Sequence, residues 1–323
     1  MSLAAGQPDH PLLGVSRCLL GQKVRYDGGH KLDHYLTEVL GRHVDYVPVC
    51  PEVECGLGVP REAMRLVGEV DFPRLVTIRS GIDLTERMRA WTASRVEELA
   101  DQPLCGFIFK YGSPSSGMSR VKVYPEAGGS PLLKGRGLFA AAFMERFPLL
   151  PVEDEGRLND DVLRENFIER VFVMQRWRAL EAEGFSLGRL VDFHTRHKLL
   201  VMAHSVEHYR SLGRLVATAR DLPVETLRTQ YLTGLMEALR LCATVKKQVN
   251  VLSHVMGYFK RQLTPDEKAE LLEVLDGYAR ELLPLIVPVT LLNHYVRKFR
   301  EPYLAGQWYL NPHPAELKLR NHV

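Results

Sequence analysis

The sequence predicts an α/β N-terminal domain with a small parallel sheet, followed by an all-α C-terminal domain. In the first half, three apolar runs each lead into a loop of small residues, and helical patterns lie between them. From residue 161 to 293, nearly every window instead has the apolar spacing of a helix. We therefore place the domains at residues 1–155 and 156–323.

The first two predicted strands each lead to a cysteine. One spans residues 12–20 and contains Cys18; the other spans residues 44–49 and is followed by Cys50, with a helix predicted between them at 31–40. Loops rich in glycine or proline come next in both cases. Because α/β sheets present ligands in loops at the carboxyl ends of their strands, we expect both cysteines near a site.

Periodicity and chain breakers define the other N-terminal elements. They are a hairpin over 61–79 around Pro73, a helix over 83–100, a buried strand over 104–109, an edge strand over 121–124 and a helix over 137–146. Prolines followed by an acidic run at 147–156 predict that the chain leaves the domain there.

The helical half is interrupted at Gly184, Gly188, Pro223 and residues 263–266. Around the last of these breaks, Thr264 and Glu267 have the spacing of a capping box, with proline at the first helical position. No repeat of fixed period is present, and the second half is predicted to be an α-helical domain.

Composition indicates an ordinary globular protein, with 46% apolar and 25% charged residues. Residues 1–10 lack the basic and apolar segments of a signal peptide, and residues 282–292 are too short to span a bilayer, so we expect a cytoplasmic protein without a membrane partner. Five unevenly spaced cysteines predict free thiols rather than a disulfide framework. Most of the net charge of +3 lies in the second half, where a solvated surface explains it as well as a polyanion partner does.

The richest candidate site is the loop over residues 47–62, which contains Cys50, Glu52, Glu54 and Cys55. Its two cysteines could bind a metal, although their spacing is not that of a zinc ribbon; free buried thiols are the alternative. Glu52 could act as a proton acceptor beside such ligands, or could be an exposed or helix-capping glutamate.

A serine-rich loop over residues 113–117 follows the third strand and could bind an anion through backbone N–H groups. It matches neither a nucleotide-phosphate loop nor a serine nucleophile elbow. Two cysteines are predicted to be packing residues, namely Cys105 in the apolar strand and Cys242 on a helix face.

Basic residues cluster on predicted helices in the second half. Arg196 and Lys198 lie among histidines that lack a metal-binding motif, so a phosphate-facing surface is the functional alternative to a plain solvated helix. The other candidates on this surface are Lys246, Lys247, Arg297 and Lys298, close in sequence to Tyr295 and Phe299.

Three stretches, at residues 15–29, 49–62 and 106–117, together resemble the thiouracil desulfidase (TudS) family. Their sequences are VSRCLLGQKVRYDGG, VCPEVECGLGVPRE and GFIFKYGSPSSG. The helical half, with FIERVF and FHTRHKLLVMAHS, resembles the domain fused to it in the tRNA 4-thiouridine desulfidases called RudS.

The resemblance implies a 4Fe-4S cluster on three cysteines with one iron left open, and its motifs assign Cys18 and Cys50 as ligands. Ser116 stands where the family has its third cysteine. Either a neighbouring thiol substitutes, or the chain cannot hold the cluster in the family's way. Cys55 is favoured over Cys105 because it shares the loop of Cys50, whereas Cys105 is expected at the far end of the sheet.

The resemblance also implies roles in catalysis. Glu52 would activate water to attack the ring carbon, while Ser113 would donate a hydrogen bond or relay a proton, and the open iron would bind the thiocarbonyl sulfur. Sulfur would leave as hydrosulfide, without a redox change of the cluster. Substrate contacts are assigned to Ser116, Lys110 and Arg25.

The expected reaction converts 4-thiouridine in tRNA to uridine. A desulfidase of free thiolated bases and a cluster-less tRNA-binding protein are the alternatives. The base would have to turn out of the RNA, with the energy supplied by contacts elsewhere. We expect no DNA partner, and we assign the tRNA contacts to Arg196, Lys198, Lys246, Lys247, Arg297 and Lys298.

Overall fold

The computed structural model describes residues 10–322. Residues 1–9, on which the prediction of no signal peptide mainly depends, lie outside the described residues. The chain forms two compact units, one ending at Asn159 and the other beginning at Asp160. This division falls a few residues beyond the predicted boundary at 155.

Within residues 10–159, the first unit contains two sheets and three α-helices. Its strands are β1 (Leu12–Ser16), β2 (Asp45–Val49), β3 (Met64–Gly68), β4 (Pro73–Thr77), β5 (Leu104–Phe109), β6 (Val121–Tyr124), β7 (Leu132–Gly135) and β8 (Val152–Asp154). Its helices are α1 (Pro51–Glu54), α2 (Thr85–Ala100) and α3 (Leu138–Arg146).

The first sheet is all-parallel, and its strand order is β2-β1-β5-β8. Its central strands are buried; Leu13, Val15 and Phe107 have no exposed surface. β2 is added on one side of β1 and β5 on the other, which opens a crevice at the carboxyl ends of the strands. Gly14 permits this close packing, since a Cβ there would lie 2.1 Å from the Phe107 ring.

One prediction for this region is wrong, and one segment has a role that was not predicted. The strand over 121–124 was expected at an edge, but β6 is internal in a second, mixed sheet of order β4-β3-β6-β7, because β7 pairs with it. The acidic run predicted to mark the domain exit lies a few residues before the division at Asn159, and part of it also forms β8, which pairs with β5. Burial of this acidic strand is tolerated because Arg157 donates to Glu153 at 2.6 Å.

The segments around the first crossover are less regular than predicted. The strand ends at Ser16, and a 3-10 turn over Arg17–Leu20 carries Cys18 and ends at Gly21 with φ +82°. In place of the helix over 31–40 there is a π-helical turn over Tyr35–Val39, continued by a 3-10 turn over Leu40–Arg42. Cys18 therefore lies on the loop side of β1, where its thiol can face a cavity.

The second unit is helical, which confirms the predicted fold class. Thr264 and Glu267 form the expected capping box, with the Thr264 hydroxyl accepting from Glu267 N and the Glu267 carboxylate accepting from Thr264 N. None of the helices within residues 10–322 combines the length and apolarity needed to cross a membrane. The helices are α4 (Asp161–Ala182), α5 (Leu187–His204), α6 (Val206–Ala217), α7 (Val224–Arg240), α8 (Val245–Gly257), α9 (Pro265–Ala279), α10 (Ile286–Phe299) and α11 (Pro302–Ala305).

A buried ionic network fixes α4 to α5 and to the end of the chain. Arg320 donates to Glu169 at 2.8 Å and to Glu165 at 3.2 Å, and His204 Nε2 lies 3.1 Å from Glu169. Burial and the charge of Glu169 raise the pKa of Glu165 to about 8. Burial acts in the same direction on Glu169, but His204 and Arg320 outweigh it and hold the pKa of Glu169 at about 2.

Candidate active site

A cavity of about 230 Å³ lies in the first unit, where the loops that follow β1, β2 and β5 meet. This is the position at which an α/β sheet offers its crevice to a ligand. The structure brings together here almost all the residues that the sequence assigned to the site. Those that line the cavity are Cys18, Arg25, Cys50, Glu52, Lys110, Ser113 and Ser116.

The two cavity cysteines lie in an environment that opposes ionisation. Cys50 directly follows β2 as the N-cap of α1, and only 6% of its surface is exposed. Burial raises the pKa of Cys18 to about 11 and that of Cys50 to about 12, and the nearby charge of Glu52 adds to both shifts. Without a cation the two side chains are thiols; a bound metal ion would favour the thiolates.

Glu52 lies at the centre of a hydrogen-bond chain. Its Oε1 atom accepts from Ser115 Oγ at 2.5 Å and from Ser113 Oγ at 3.5 Å. Its Oε2 atom lies 3.5 Å from Cys50 Sγ and 3.8 Å from the Arg61 guanidinium. The carboxylate is thus held mainly by neutral hydroxyls, next to a cavity thiol.

The serine loop is fixed by its own turn and by α3. Ser113 Oγ accepts from the backbone N–H groups of Ser115 and Ser116 at 3.3 and 3.2 Å. The Ser115 carbonyl accepts from Phe139 N at 3.0 Å. At Gly137 the packing is so close that a Cβ would lie 2.4 Å from the carbonyl carbon and oxygen of Ser115. The hydroxyls that face Glu52 therefore have a defined position.

The structure does not bring Cys55 or Cys105 to the cavity. The single turn of α1 carries Cys55 away from Cys50; its thiol donates to the Glu52 carbonyl at 3.3 Å, and its side chain packs on the core of the mixed sheet. Cys105 is buried near the amino end of β5, as the sequence predicted. The residue at the cavity beside the two cysteines is Ser116, which is 4% exposed. The structure therefore does not support Cys55 as the third ligand, because its side chain does not line the cavity.

The two basic residues assigned to the substrate have partners of their own. Lys110 Nζ forms an ion pair with Glu155 and donates to the Tyr111 carbonyl at 2.9 Å. Arg25 lies 3.5 Å from Asp27, and its guanidinium is 5.6 Å from the ring centre of Tyr26. Because both charges are compensated, the cavity has no strong preference for an anion.

Two residues around Glu52 were missed by sequence reasoning, namely the buried Ser115 and the cavity-lining Arg61. Ser115 makes the shortest contact to Glu52, and its signal was the S-x-S spacing that puts Ser113 and Ser115 on one side of the loop. Arg61 lines the cavity and donates to the Val24 carbonyl at 2.9 Å, closing the loop that begins at Cys50. It lies within the resemblance segment 49–62, but no spacing rule singles it out.

The six residues assigned to tRNA lie on three helices of the second unit. Lys247 donates to the carbonyls of His204 and Cys242 at 2.7 and 3.1 Å and so caps α5, while Lys298 forms an ion pair with Glu267. Lys246 and Arg297 are exposed, and Lys198 is half-buried. Arg196 stacks on Trp308, with 4.6 Å between its guanidinium carbon and the ring centre.

Comparison with known proteins agrees with this division. Residues 13–155 match the family described as 2-thiouracil desulfurase, and residues 198–314 match a family described as a protein of unknown function, DUF1722. The uncharacterized protein YbgA of Escherichia coli (strain K12) is 32% identical over 153 residues, which are 47% of this chain and 90% of that protein. A solved [4Fe-4S]-dependent thiouracil desulfidase, TudS, is 32% identical over 46% of this chain and 94% of that chain, with a TM-score of 0.38.

The fold and the two family matches define the class of protein: a desulfidase-type α/β domain fused to a helical domain. The chain joins a domain of the 2-thiouracil desulfurase (TudS-type) family to a domain of the DUF1722 family. The predicted combination of a TudS-type domain with a helical domain is confirmed.

Proposed function

We propose that the chain is an iron-sulfur desulfidase that converts 4-thiouridine in tRNA to uridine and releases hydrosulfide. The observation that supports this function best is the placement of the Cys18 and Cys50 thiols in one cavity with the Glu52 carboxylate. Soft donors and a proton acceptor are the groups that removal of sulfur by water requires.

The donor set fits an iron-sulfur group with two sulfur ligands and one oxygen ligand. Cys18 and Cys50 supply the thiolates, and the proposed third ligand is the Ser116 hydroxyl, which lines the same cavity where Cys55 does not. When bound, a 4Fe-4S cluster with an open iron supplies a soft Lewis acid that holds and polarises a thiocarbonyl sulfur.

The protein side chains supply the proton chemistry. Glu52 accepts a proton from the water that attacks the ring carbon, and Ser115 orients the carboxylate through its 2.5 Å hydrogen bond. Ser113 lies within 3.0 Å of Ser115 and extends the chain of hydroxyls by one position. Water adds oxygen and sulfur leaves as hydrosulfide, so the reaction needs no external oxidant or reductant.

Aromatic rings at the cavity suit a planar base. Tyr26 and Tyr111 both line the cavity, and the two residues are 44% and 47% exposed. Stacking of this kind is how proteins hold bases that are turned out of RNA. The exposed Lys246 and Arg297 of the helical unit are proposed to contact the tRNA backbone.

Anaerobic reconstitution followed by assays on 2-thiouracil, 4-thiouridine and thiolated tRNA tests this function. We expect stoichiometric iron and sulfide, and release of hydrosulfide fastest from thiolated tRNA. Fastest turnover of the free base would favour the free-base alternative. Protein without iron that still binds tRNA would favour the cluster-less alternative, for which Ser116 is the specific observation.

Paired variants test the third ligand separately. Ser116→Cys is expected to raise the iron content or the stability of the cluster, because a thiolate replaces a harder oxygen donor. Cys55→Ser is expected to leave the iron content unchanged, because Cys55 faces the core of the mixed sheet. Loss of iron from Cys55→Ser would instead require a rearranged loop and would contradict the assignment of Ser116.

A further inference from the structure

The helical unit contains a second cavity, of about 430 Å³, lined by α4, α5 and Trp308. The segment that carries Trp308 is fixed to α5 by hydrogen bonds from Trp308 N to the Arg196 carbonyl at 2.9 Å and from Gln307 to the Thr195 carbonyl at 2.8 Å. The cavity is therefore formed by well-anchored elements of this unit alone.

Two guanidinium groups lie over the Trp308 ring. The guanidinium carbon of Arg176 is 3.7 Å from the ring centre, and that of Arg196 is 4.6 Å away. Arg176 Nη2 donates to the Pro312 carbonyl, whereas its Nη1 atom is buried without a partner. Within residues 10–322, no carboxylate lies within ion-pair distance of either arginine.

This arrangement leaves a positive charge poorly compensated. Burial lowers the pKa of Arg176 to about 9, so the group is still charged at neutral pH. The carboxylate that acts on it most, Glu169, is already held by Arg320 and His204. A buried charge without a counter-ion is unfavourable, and an anion in the cavity would remove that penalty.

His197 adds a hydrogen-bond acceptor to the same wall. Its Nδ1 atom lies 2.7 Å from the Phe193 carbonyl, so Nδ1 carries the proton that is donated there. The Nε2 atom is then an acceptor; it is buried and has no partner. Burial and the charge of Arg176 hold the pKa of His197 well below its ordinary value, which keeps the ring neutral.

We propose that this cavity binds a phosphate group that has a hydroxyl beside it, with Arg176 and Arg196 donating to the phosphate and His197 Nε2 accepting from the hydroxyl. Planar guanidinium groups match the geometry of phosphate oxygens. A singly protonated phosphate monoester carries the required O–H itself, and an RNA backbone phosphate has a neighbouring 2′-hydroxyl. Sulfate and DNA lack this donor.

If the phosphate belongs to RNA, this cavity would contribute to the tRNA binding of the proposed function. If it belongs to a small nucleotide, the cavity would be a separate binding site. Its test uses binding alone, so that it can fail or succeed whether or not the first unit removes sulfur. Two carboxylates also line the cavity, but neither repels an anion strongly. Glu183 lies 3.6 Å from the Arg189 guanidinium, and Asp192 is exposed to solvent.

Calorimetric titration of the full chain at constant ionic strength tests the site with inorganic phosphate, sulfate, uridine 5′-monophosphate, and matched short RNA and DNA strands. We expect phosphate to bind several-fold more tightly than sulfate, because it makes one additional hydrogen bond. Tighter binding of RNA than of both DNA and the monophosphate identifies a backbone phosphate; tighter binding of the monophosphate than of RNA identifies a small nucleotide.

Arg196→Gln is expected to weaken binding of the preferred probe about tenfold or more, because a charge-assisted hydrogen bond is lost. Arg210→Gln, which removes an exposed arginine that does not line the cavity, is the matched control and should change the affinity less than about twofold. Circular dichroism verifies that both variants are folded, and Arg176→Gln provides a second test of the site. Absence of binding by every probe, equal affinities for phosphate and sulfate, or equal effects of Arg196→Gln and Arg210→Gln would overturn the proposal.

Discussion

Glu52 in the α/β unit and Glu169 in the helical unit are both largely buried carboxylates, with side chains 12% and 3% exposed. Their partners differ. Glu169 lies between Arg320 at 2.8 Å and His204 at 3.1 Å, whereas Glu52 is held by the Ser115 hydroxyl at 2.5 Å and has its nearest cation, Arg61, at 3.8 Å. A carboxylate held by hydroxyls beside a cavity can exchange a proton with a ligand. One enclosed by the Arg320 guanidinium and the His204 ring stabilises the fold instead.

The largest expected effect is on activity, from Glu52→Gln. The amide can still accept from Ser115 but is a very poor base, so turnover should fall by about 10²–10⁴-fold, the usual contribution of a general base. Iron content and thermal stability should remain near those of the unchanged protein. Desulfuration assays measure this, with Glu97→Gln, an exposed glutamate paired with Arg146, as the control. Full activity of Glu52→Gln would show that Glu52 is not the proton acceptor, and that its role does not differ in this respect from that of Glu169.

The next largest effect is on stability, from Arg320→Met. This change leaves Glu165 and Glu169 buried without their shared cation, and breaking such a network costs about 3–5 kcal/mol. Thermal unfolding followed by far-ultraviolet circular dichroism should show the loss. Replacing Arg320, Glu165 and Glu169 together by uncharged residues should recover most of it, because no unpaired charge remains. An unchanged midpoint for Arg320→Met alone would show that the network is not stabilised by its cation.

The smallest effect is a change in pH dependence from Glu165→Gln. The Glu165 carboxyl keeps its proton up to about pH 8 in the folded protein, whereas its ordinary pKa is 4.5. Between these values the unfolded chain binds fewer protons than the folded one, so this group makes stability fall as the pH rises. Glu169, with its pKa at about 2, acts in the opposite direction, and only below the ordinary value of 4.5.

Urea unfolding at pH 5 and pH 8 measures this dependence. Glu165→Gln should reduce the decline in the unfolding free energy over that interval, because the amide does not titrate. A variant with the same slope as the unchanged protein would mean that Glu165 is not the group responsible.

Much of the site could be predicted from sequence because it follows strand ends. Cys18, Cys50 and Ser113 each follow an apolar run, and parallel strands bring their carboxyl ends to one edge. Cys55 could not be placed in this way. It lies one helical turn after Cys50, and the direction of such a short helix depends on the core of the mixed sheet rather than on any period in the sequence.

The failures have similar causes elsewhere in the chain. The strand β8 was not predicted, because its acidic residues do not have the apolar pattern of a buried strand. Its burial depends on Arg157, which donates to Glu153. The partnership of Arg320 with Glu169 joins residues 151 positions apart. Pattern rules address neighbours within a few turns, and cannot identify contacts that only the packed helices create.

The close contact between Gly137 and the backbone of Ser115 has a consequence for how this chain can change over evolutionary time. The N-terminus of α3 packs directly against the serine loop at residues 113–117, and the contact leaves no room for a Cβ at residue 137. A methyl group added there would leave the helix free to form but would displace the hydroxyl on which Glu52 depends. Selection on the Glu52 site would therefore extend to the N-cap of α3, a position that does not itself line the cavity but fixes the backbone of the serine loop.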